Sequence, residues 1–439
     1  MKPLRIIGYF HLAVPEHNAG SETTVWAALR ALVRRGHHVS IICDRSKTAP
    51  YTHDGIEVVR PPRRGVQSWL ENFVQGSDLL VTHLDLTSQA MTLAIAVKIP
   101  LVHFVHNDAQ LMYWRVDARV PYKNALTVYN SNWLAEKPSH WGGQDMPNEW
   151  RAPSIIVHPV VEPERYRCET GTKITLVNPT PTKGANTFKA LARQMPTREF
   201  LAVEGGYGDQ VITKPGSDPK YAAIGNIEWM AHTPDIRAVF RKTKILLMPS
   251  DYESYGRVGI EAACAGIPTL AHPTEGLREA FGDAGIFIDR NDIAAWYLEV
   301  DRLLTDEVYY RQRSNAVLAL ADSLDPESEF DRLEQAFIKT VARYSTGEMN
   351  SMKMWTSDRW IYKMQDGTYQ AVDNPGRIPT GAVVQIAGKG TQILESIARE
   401  NGWIGPDNEA KAIAEPEENK ALSAPQETKA RESKKAKVA

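Results

Sequence analysis

Two glutamates stand eight positions apart in the stretch "PSDYESYGRVGIEAACAGIPTLA" (249–271), and what surrounds them limits their chemistry. Glu253 follows the apolar run "KILLMPS", which reads as a buried strand, and open α/β sheets bind ligands at the C-terminal edge of their strands. A helix starting near Ser254 would present the amides of Tyr255, Gly256 and Arg257 at a positive terminus suited to phosphate oxygens. Gly256 and Gly259 lack side chains that would hold a ligand or the sheet at a distance. Glu261 falls one to two turns along that helix, within reach of a hydroxyl-bearing group beside the phosphates. Ala262, Ala263, Cys264 and Ala265 let the helix pack closely, and Gly266 and Pro268 stop it. Phosphates flanked by two polyols, one for each glutamate, fit this layout, and such a ligand is a nucleotide sugar. Two solvated carboxylates at a helix start would leave the coincidence of strand end, glycines and helix stop unexplained.

The elements that must position these residues form two series. "LRIIGYF", the helical stripe Val25, Leu29, Leu32 and Val33 closed by Gly36, and the strands "HVSIIC", "LLVTH" and "IPLVHFVH" alternate as in a parallel sheet. "KITLVNP", "REFLAVEGG", "KILLMPS" and "IPTLA" repeat the pattern. The expected architecture is α/β, with two doubly wound Rossmann-like domains (1–168 and 169–325) facing across a cleft. A closing helix over 326–345 has Asp325 at its N-cap, Pro326 at N1, and Phe330, Leu333, Phe337, Val341 and Tyr344 on one stripe.

Beyond it, a small module over 352–406 is predicted as a hairpin turning at Asp366-Gly367, a third strand "AVVQIA" and a helix "TQILESIAREN". Residues 407–439 hold no aromatic residue and seven acidic and seven basic side chains, and are expected to be disordered. With 439 residues, 43% hydrophobic and 24% charged, the chain has the makeup of a multidomain globular enzyme. A net charge of −2 gives no general nucleic-acid footprint. Cys43, Cys168 and Cys264 form neither a disulfide framework nor a metal quartet, no run reaches the ~20 apolar residues of a membrane span, and a cytoplasmic location is expected.

At the paired glutamates the chain resembles the family 4 glycosyltransferases, retaining enzymes of the GT-B fold whose signature is Glu, seven residues, Glu. The resemblance runs over roughly residues 4–345 and includes "NAGSE", "RRGHHVSIIC", "PLVHFVH", "PTKG" and "TEGLREAFGDAGIFI". It implies a nucleotide-sugar donor, UDP- or GDP-linked, in the interdomain cleft and no other cofactor. Glu261 would meet the ribose hydroxyls and Glu253 the transferred sugar. Lys183 would meet the diphosphate, with Gly20 and Ser21 approaching from the other domain, and His106 would lie beside the reacting carbon. The family commonly has an arginine four to six residues before the lysine; here Asn178 and Pro179 stand there. Diphosphate neutralisation then rests on Lys183 alone or borrows Arg257.

No Asp-x-Asp pair is present to chelate a divalent metal, so the implied mechanism is metal-independent, with retention by front-face return. Ten of the twelve histidines precede residue 169, but none pairs with Cys or Glu at ligand spacing. "RPPRR" (60–64) reads as a solvated loop. The aromatic loops "QLMYWRVDARVPY" (110–122) and "HWGGQDMPNEWRAP" (140–153) are candidates for acceptor contact. The acceptor stays open among protein, glycan, lipid and modified nucleobase, and the C-terminal module could dock a protein. A sugar-nucleotide epimerase or phosphorylase, or a catalytically silent binding protein, would share the architecture.

Overall fold

The computed structural model describes residues 2–108, 126–137, 140–141, 144–145, 152–214 and 224–346, and five short stretches, 360–363, 369–372, 384–385, 389–390 and 392–394. Its contacts divide the chain into a unit over Met1–Ser357 and a second over Asp358–Ala439.

The first unit holds two parallel sheets. One is built from β1 (Arg5–Phe10), β2 (His38–Cys43), β3 (Tyr51–His53), β4 (Ile56–Val59), β5 (Leu79–His83), β6 (Leu101–Val105), β7 (Leu126–Tyr129) and β10 (Ser154–Ile156); β8 (His140–Trp141) and β9 (Gln144–Asp145) pair separately. The order is β10-β7-β6-β5-β1-β2-β4-β3, with every pair parallel except the β3–β4 hairpin. That hairpin turns on Asp54-Gly55, both at positive φ (50° and 77°), as a tight two-residue turn requires. β5, β6 and β7 are buried at every position, which is why they read as continuous apolar runs and not as alternating ones.

The second sheet contains β11 (Lys173–Val177), β12 (Phe200–Val203), β13 (Ile227–Met230), β14 (Thr243–Met248), β15 (Thr269–Ala271) and β16 (Ile286–Phe287). It is wholly parallel in the order β13-β12-β11-β14-β15-β16, so the winding reverses between β11 and β14. Among the described residues the α-helices are α1 (Gly20–Arg34), α2 (Val66–Val74), α3 (Thr87–Val97), α4 (Asn132–Glu136), α5 (Ala185–Gln194), α6 (Arg237–Phe240), α7 (Arg257–Cys264), α8 (Glu275–Phe281), α9 (Ile293–Thr305), α10 (Glu307–Asp322) and α11 (Pro326–Ser345).

Two boundaries differ from the sequence reading. Val157 and Val160 lie in the core under the first sheet, whereas Val161, Tyr166 and Cys168 pack with the second, so the chain crosses at Val160–Val161, ahead of residue 168. The signature helix begins at Arg257 and not near Ser254, because Gly256 is held at φ 86° and serves as the N-cap. A Cβ on Gly256 would lie 2.4 Å from Leu277 Cδ2, so both its backbone angle and its packing demand glycine.

α11 starts as predicted, with Asp325 accepting from the Ser328 amide and Pro326 at N1. Its buried Phe330, Leu333 and Phe337 enter the core of the first half, although the helix follows the second half in sequence. Arg35, just past α1, holds it there through Glu327 (2.6 Å), Asp331 (2.5 Å) and Glu334 (2.8 Å).

A further cluster joins three elements of this unit. Glu279 of α8 accepts from the amides of Asn132 (2.7 Å) and Trp133 (3.1 Å) at the start of α4, satisfying donors that a helix leaves orphaned. His158 sits between Glu279 and Glu329 of α11, with each ring nitrogen 3.0 Å from a carboxylate. Burial opposes its charge, but the two carboxylates outweigh it and raise the imidazole pKa to about 9. Glu279 is likewise opposed by burial and held down to about 2 by His158 and the α4 amides.

In the second unit β17 (Trp360–Lys363) and β18 (Tyr369–Val372) form the expected antiparallel hairpin. The strand on the other side of β17 is β21 (Gln392–Leu394), within the stretch predicted as a helix. "AVVQIA" instead supplies β19 (Val384–Gln385), paired with β20 (Lys389–Gly390). The adjacent apolar residues Ile393 and Leu394 fit either period, and pairing with β17 decides between them. The remainder of the predicted helix, the Asp366-Gly367 turn and the tail 407–439 lie outside the described residues.

Candidate functional site

A cavity of about 250 Å³ lies in the first unit where the β1–α1 loop faces the second sheet. Asn18, Ala19, Gly20 and Thr23 line it on one side. Opposite them are the C-terminal ends of β11 (Asn178), β12 (Glu204 to Tyr207) and β14 (Ser250, Glu253), with Lys183, Gly256, Arg257 and Glu261. β11 and β14 are the strands between which the winding reverses. Diverging loops leave room for a ligand at that point.

Lys183 and Glu253 meet inside it. Lys183 sits just before α5, whose N-cap is Gly184 at φ 85°; a Cβ there would lie 2.3 Å from Pro249 Cγ. This close approach brings the lysine onto the loop after β14, where its Nζ donates to Glu253 Oε1 at 2.5 Å and Ser250 Oγ donates to the same oxygen at 2.9 Å. Burial works against the ammonium, but Glu253 and the Tyr207 hydroxyl outweigh it and hold its pKa above the ordinary lysine range. The cavity therefore contains a fixed cation.

Glu261 is held differently. Its Oε1 accepts from Arg257 Nε at 2.7 Å, one turn earlier on α7. The same guanidinium donates from Nη1 to the Val160 carbonyl (2.8 Å) and from Nη2 to the Tyr166 hydroxyl (3.0 Å). Three of its nitrogens thus have protein partners, so the cation that the sequence offered to a diphosphate is engaged in orienting a carboxylate.

Of the remaining expected site residues, Gly20 lines the cavity, and a Cβ on it would meet nothing within 4 Å. It is the first residue of the fifteen-residue α1, so free amides stand beside this open space. Ser21 is turned to Glu22 Oε2 (2.8 Å), and Tyr255 is buried in the second core against His158; neither lines the cavity. His106 follows β6, away from the cavity lining, with its ring 5.3 Å from that of His83. Burial lowers its pKa to about 3, so it is neutral at physiological pH.

Glu204, Tyr207 and His232 also line the cavity and were missed in the sequence. The signal for Glu204 and Tyr207 is "AVEGGYG": a predicted strand ending in glycines brings its loop to the same edge as Ser250. Gly205 is needed there, since a Cβ would lie 2.4 Å from the Asn178 side chain. The candidate acceptor loop 110–122 and most of 140–153 lie outside the described residues. Among the described residues no three His, Cys, Asp or Glu side chains are grouped to hold a metal ion, and no helix is long and apolar enough to cross a membrane.

Two family models match this chain: "Glycosyl transferases group 1" over residues 181–317 and "Glycosyl transferase 4-like domain" over 19–142. The second takes in Gly20 and Thr23 of one wall and the first takes in Lys183, Glu253 and Glu261 of the other. Among curated proteins, the D-inositol 3-phosphate glycosyltransferase of Salinispora tropica is 36% identical over 92 residues, 19% of each chain. That of Mycobacterium marinum is 22% identical over 199 residues, 41% of this chain and 43% of the relative. The chain thus matches less than half the length of these relatives.

Among solved structures, Anabaena HepE in complex with UDP-glucose superposes with a TM-score of 0.57 at 14% identity, over 76% of this chain and 100% of that one. Sucrose-phosphate synthase from Thermosynechococcus elongatus gives 0.57 at 16% identity, over 77% and 99%. These likenesses establish the fold as GT-B. With two parallel sheets facing a cavity that holds both glutamates of the signature, and family models matching on either side of it, the chain belongs to the family 4 glycosyltransferases.

Proposed function

We propose that this protein is a retaining glycosyltransferase that moves a sugar from a nucleotide-sugar donor, UDP- or GDP-linked, to an acceptor without a divalent metal, in the cytoplasm. The observation that carries the proposal is that Glu253, Lys183 and Glu261 line one cavity at the reversal point of a parallel sheet, opposite the amides at the start of α1. The donor complex of HepE and the names of the curated relatives support the same reading.

In this reading Glu261 accepts from the ribose hydroxyls. The diphosphate displaces part of the Lys183–Glu253 contact and takes the ammonium and the α1 amides as its donors. Glu253, released from sharing Lys183, accepts from hydroxyls of the transferred sugar. As the bond from the anomeric carbon to the diphosphate breaks, positive charge develops on the sugar and negative charge on the leaving oxygen. Glu253 and Lys183 are placed to oppose these charges. The acceptor oxygen then bonds to the same face, and its proton passes to the leaving phosphate. His106 lies away from the cavity lining and takes no part in this reading.

The test is incubation with UDP-, GDP- and ADP-sugars and an acceptor panel that includes inositol phosphates, with nucleotide release and product mass both measured. A product heavier than the acceptor by one sugar, with its anomeric configuration kept, is the expected result. An isomerised donor or a sugar phosphate would replace transfer with epimerase or phosphorylase chemistry.

A further inference from the structure

The crossover between the two halves is bound to both walls of the cavity. Glu162 in this segment pairs with Arg30 and Arg34 of α1, whose first residue, Gly20, lines one wall. Val160 and Tyr166 take the two Nη groups of Arg257, whose Nε holds Glu261 in the other wall. The Tyr166 hydroxyl lies close enough to Glu261 for the carboxylate's charge to raise its pKa, after the larger effect of burial.

On an exposed helix an Arg–Glu pair at this spacing is worth only a few tenths of a kcal/mol and leaves both side chains mobile. Here their side chains are 10% and 11% exposed. The guanidinium is planar, with its donors in a rigid fork, so bonds to three separate partners fix its plane and not merely its position. Rotation of the carboxylate then breaks its bond to a guanidinium that cannot follow it without breaking a bond to the crossover. Arg257 is held in its charged form because Tyr166 and Glu261 outweigh the effect of burial.

We propose that Tyr166 and the Val160 carbonyl are positioning groups for nucleotide recognition: they orient Arg257, which aims the Glu261 carboxylate at the ribose hydroxyls. The inference rests on the reading of the cavity as a nucleotide-sugar site. It gives the crossover a second task, since the segment that joins the halves also sets how tightly the ribose is gripped.

The test compares binding of a ribonucleoside diphosphate with that of its 2′,3′-dideoxy counterpart, using whichever of UDP, GDP and ADP the wild type binds most tightly in calorimetry. Wild type should favour the ribose form by roughly ten- to a hundredfold, the range for hydrogen bonds to a charged group. Tyr166→Phe keeps the packed ring and removes the hydroxyl. It should reduce that preference about fivefold or more while leaving dideoxy binding within about twofold of wild type. Arg257→Lys, which cannot span the three partners, should reduce it further; if that variant does not fold, Tyr166→Phe decides alone. Equal weakening of both ligands would mean that Tyr166 only supports the fold, and an unchanged preference would show that Glu261 is aimed without it; either overturns the proposal while the donor site stands. A wild type that binds none of the nucleotides, or shows no preference for ribose, would remove the nucleotide-sugar reading together with the proposal.

Discussion

Replacing His158 by alanine should destabilise the protein by about 1 kcal/mol at pH 9.5 and by about 1.5–3 kcal/mol more than that at pH 6. His158 lies between Glu279 and Glu329 at 3.0 Å from each, and its pKa stands at about 9 in place of the ordinary 6.5. A folded-state pKa above the unfolded value means that the native state binds the proton more tightly. The charged contribution is therefore complete below about pH 6.5 and disappears as the pH rises through 9. At ~1.4 kcal/mol per pKa unit the full shift corresponds to about 3 kcal/mol, and the lower figure allows for screening of a side chain that is 28% exposed.

The carboxylate partner does not confuse the window, since Glu279 titrates near 2. Nor does Tyr255, whose ring lies 5.3 Å away and whose hydroxyl burial holds above the ordinary tyrosine value. Urea denaturation of wild type and variant, followed by tryptophan fluorescence at both pH values, measures the difference. An equal loss at pH 6 and pH 9.5 would refute the reasoning, because it would mean that His158 contributes packing and not charge.

Nucleotide release and sugar transfer should survive excess EDTA, because fixed donors and not a carboxylate-held metal are assigned to the diphosphate; loss restored by Mn²⁺ would overturn that assignment. A chain ending at Ser357, where the first unit ends, should still consume donor; a folded but inactive product would place part of the site in the second unit. Glu261→Ala should raise donor KM roughly ten- to a hundredfold with a smaller effect on kcat, since contacts to ribose do not change during the reaction. A purely kcat-type loss would move Glu261 to the reacting sugar.

The buried strands and the main helix caps were legible because they rest on local signals. Gly36 after α1 and the Asp-Pro pair opening α11 are examples. Asp54-Gly55 carries an equally plain hairpin signal, and the strands it joins pair antiparallel at the edge of an otherwise parallel sheet. The positions of Glu253 and Glu261 followed from one strand end and one helix. Arg257 could not be read in the same way: its type and spacing suit a phosphate as well as a carboxylate, and its partners Val160 and Tyr166 lie 97 and 91 residues away. The start of the signature helix was misplaced because Gly256 acts through a left-handed backbone angle that composition does not reveal. In the second unit Ile393 and Leu394 satisfied two periods, and only the pairing with β17 resolved them.

The central claim is that Glu253 faces the sugar whose charge develops during transfer. Its most direct test is steady-state nucleotide release by Glu253→Gln beside wild type, with the donor that wild type uses best and after confirming that both are folded. Glutamine keeps the shape and removes the charge. The account predicts a kcat roughly ten- to a hundredfold lower with donor KM within a few-fold of wild type, matching ~1.5–3 kcal/mol for a charged hydrogen bond expressed in the transition state. An unchanged kcat, or a loss confined to KM, would contradict it.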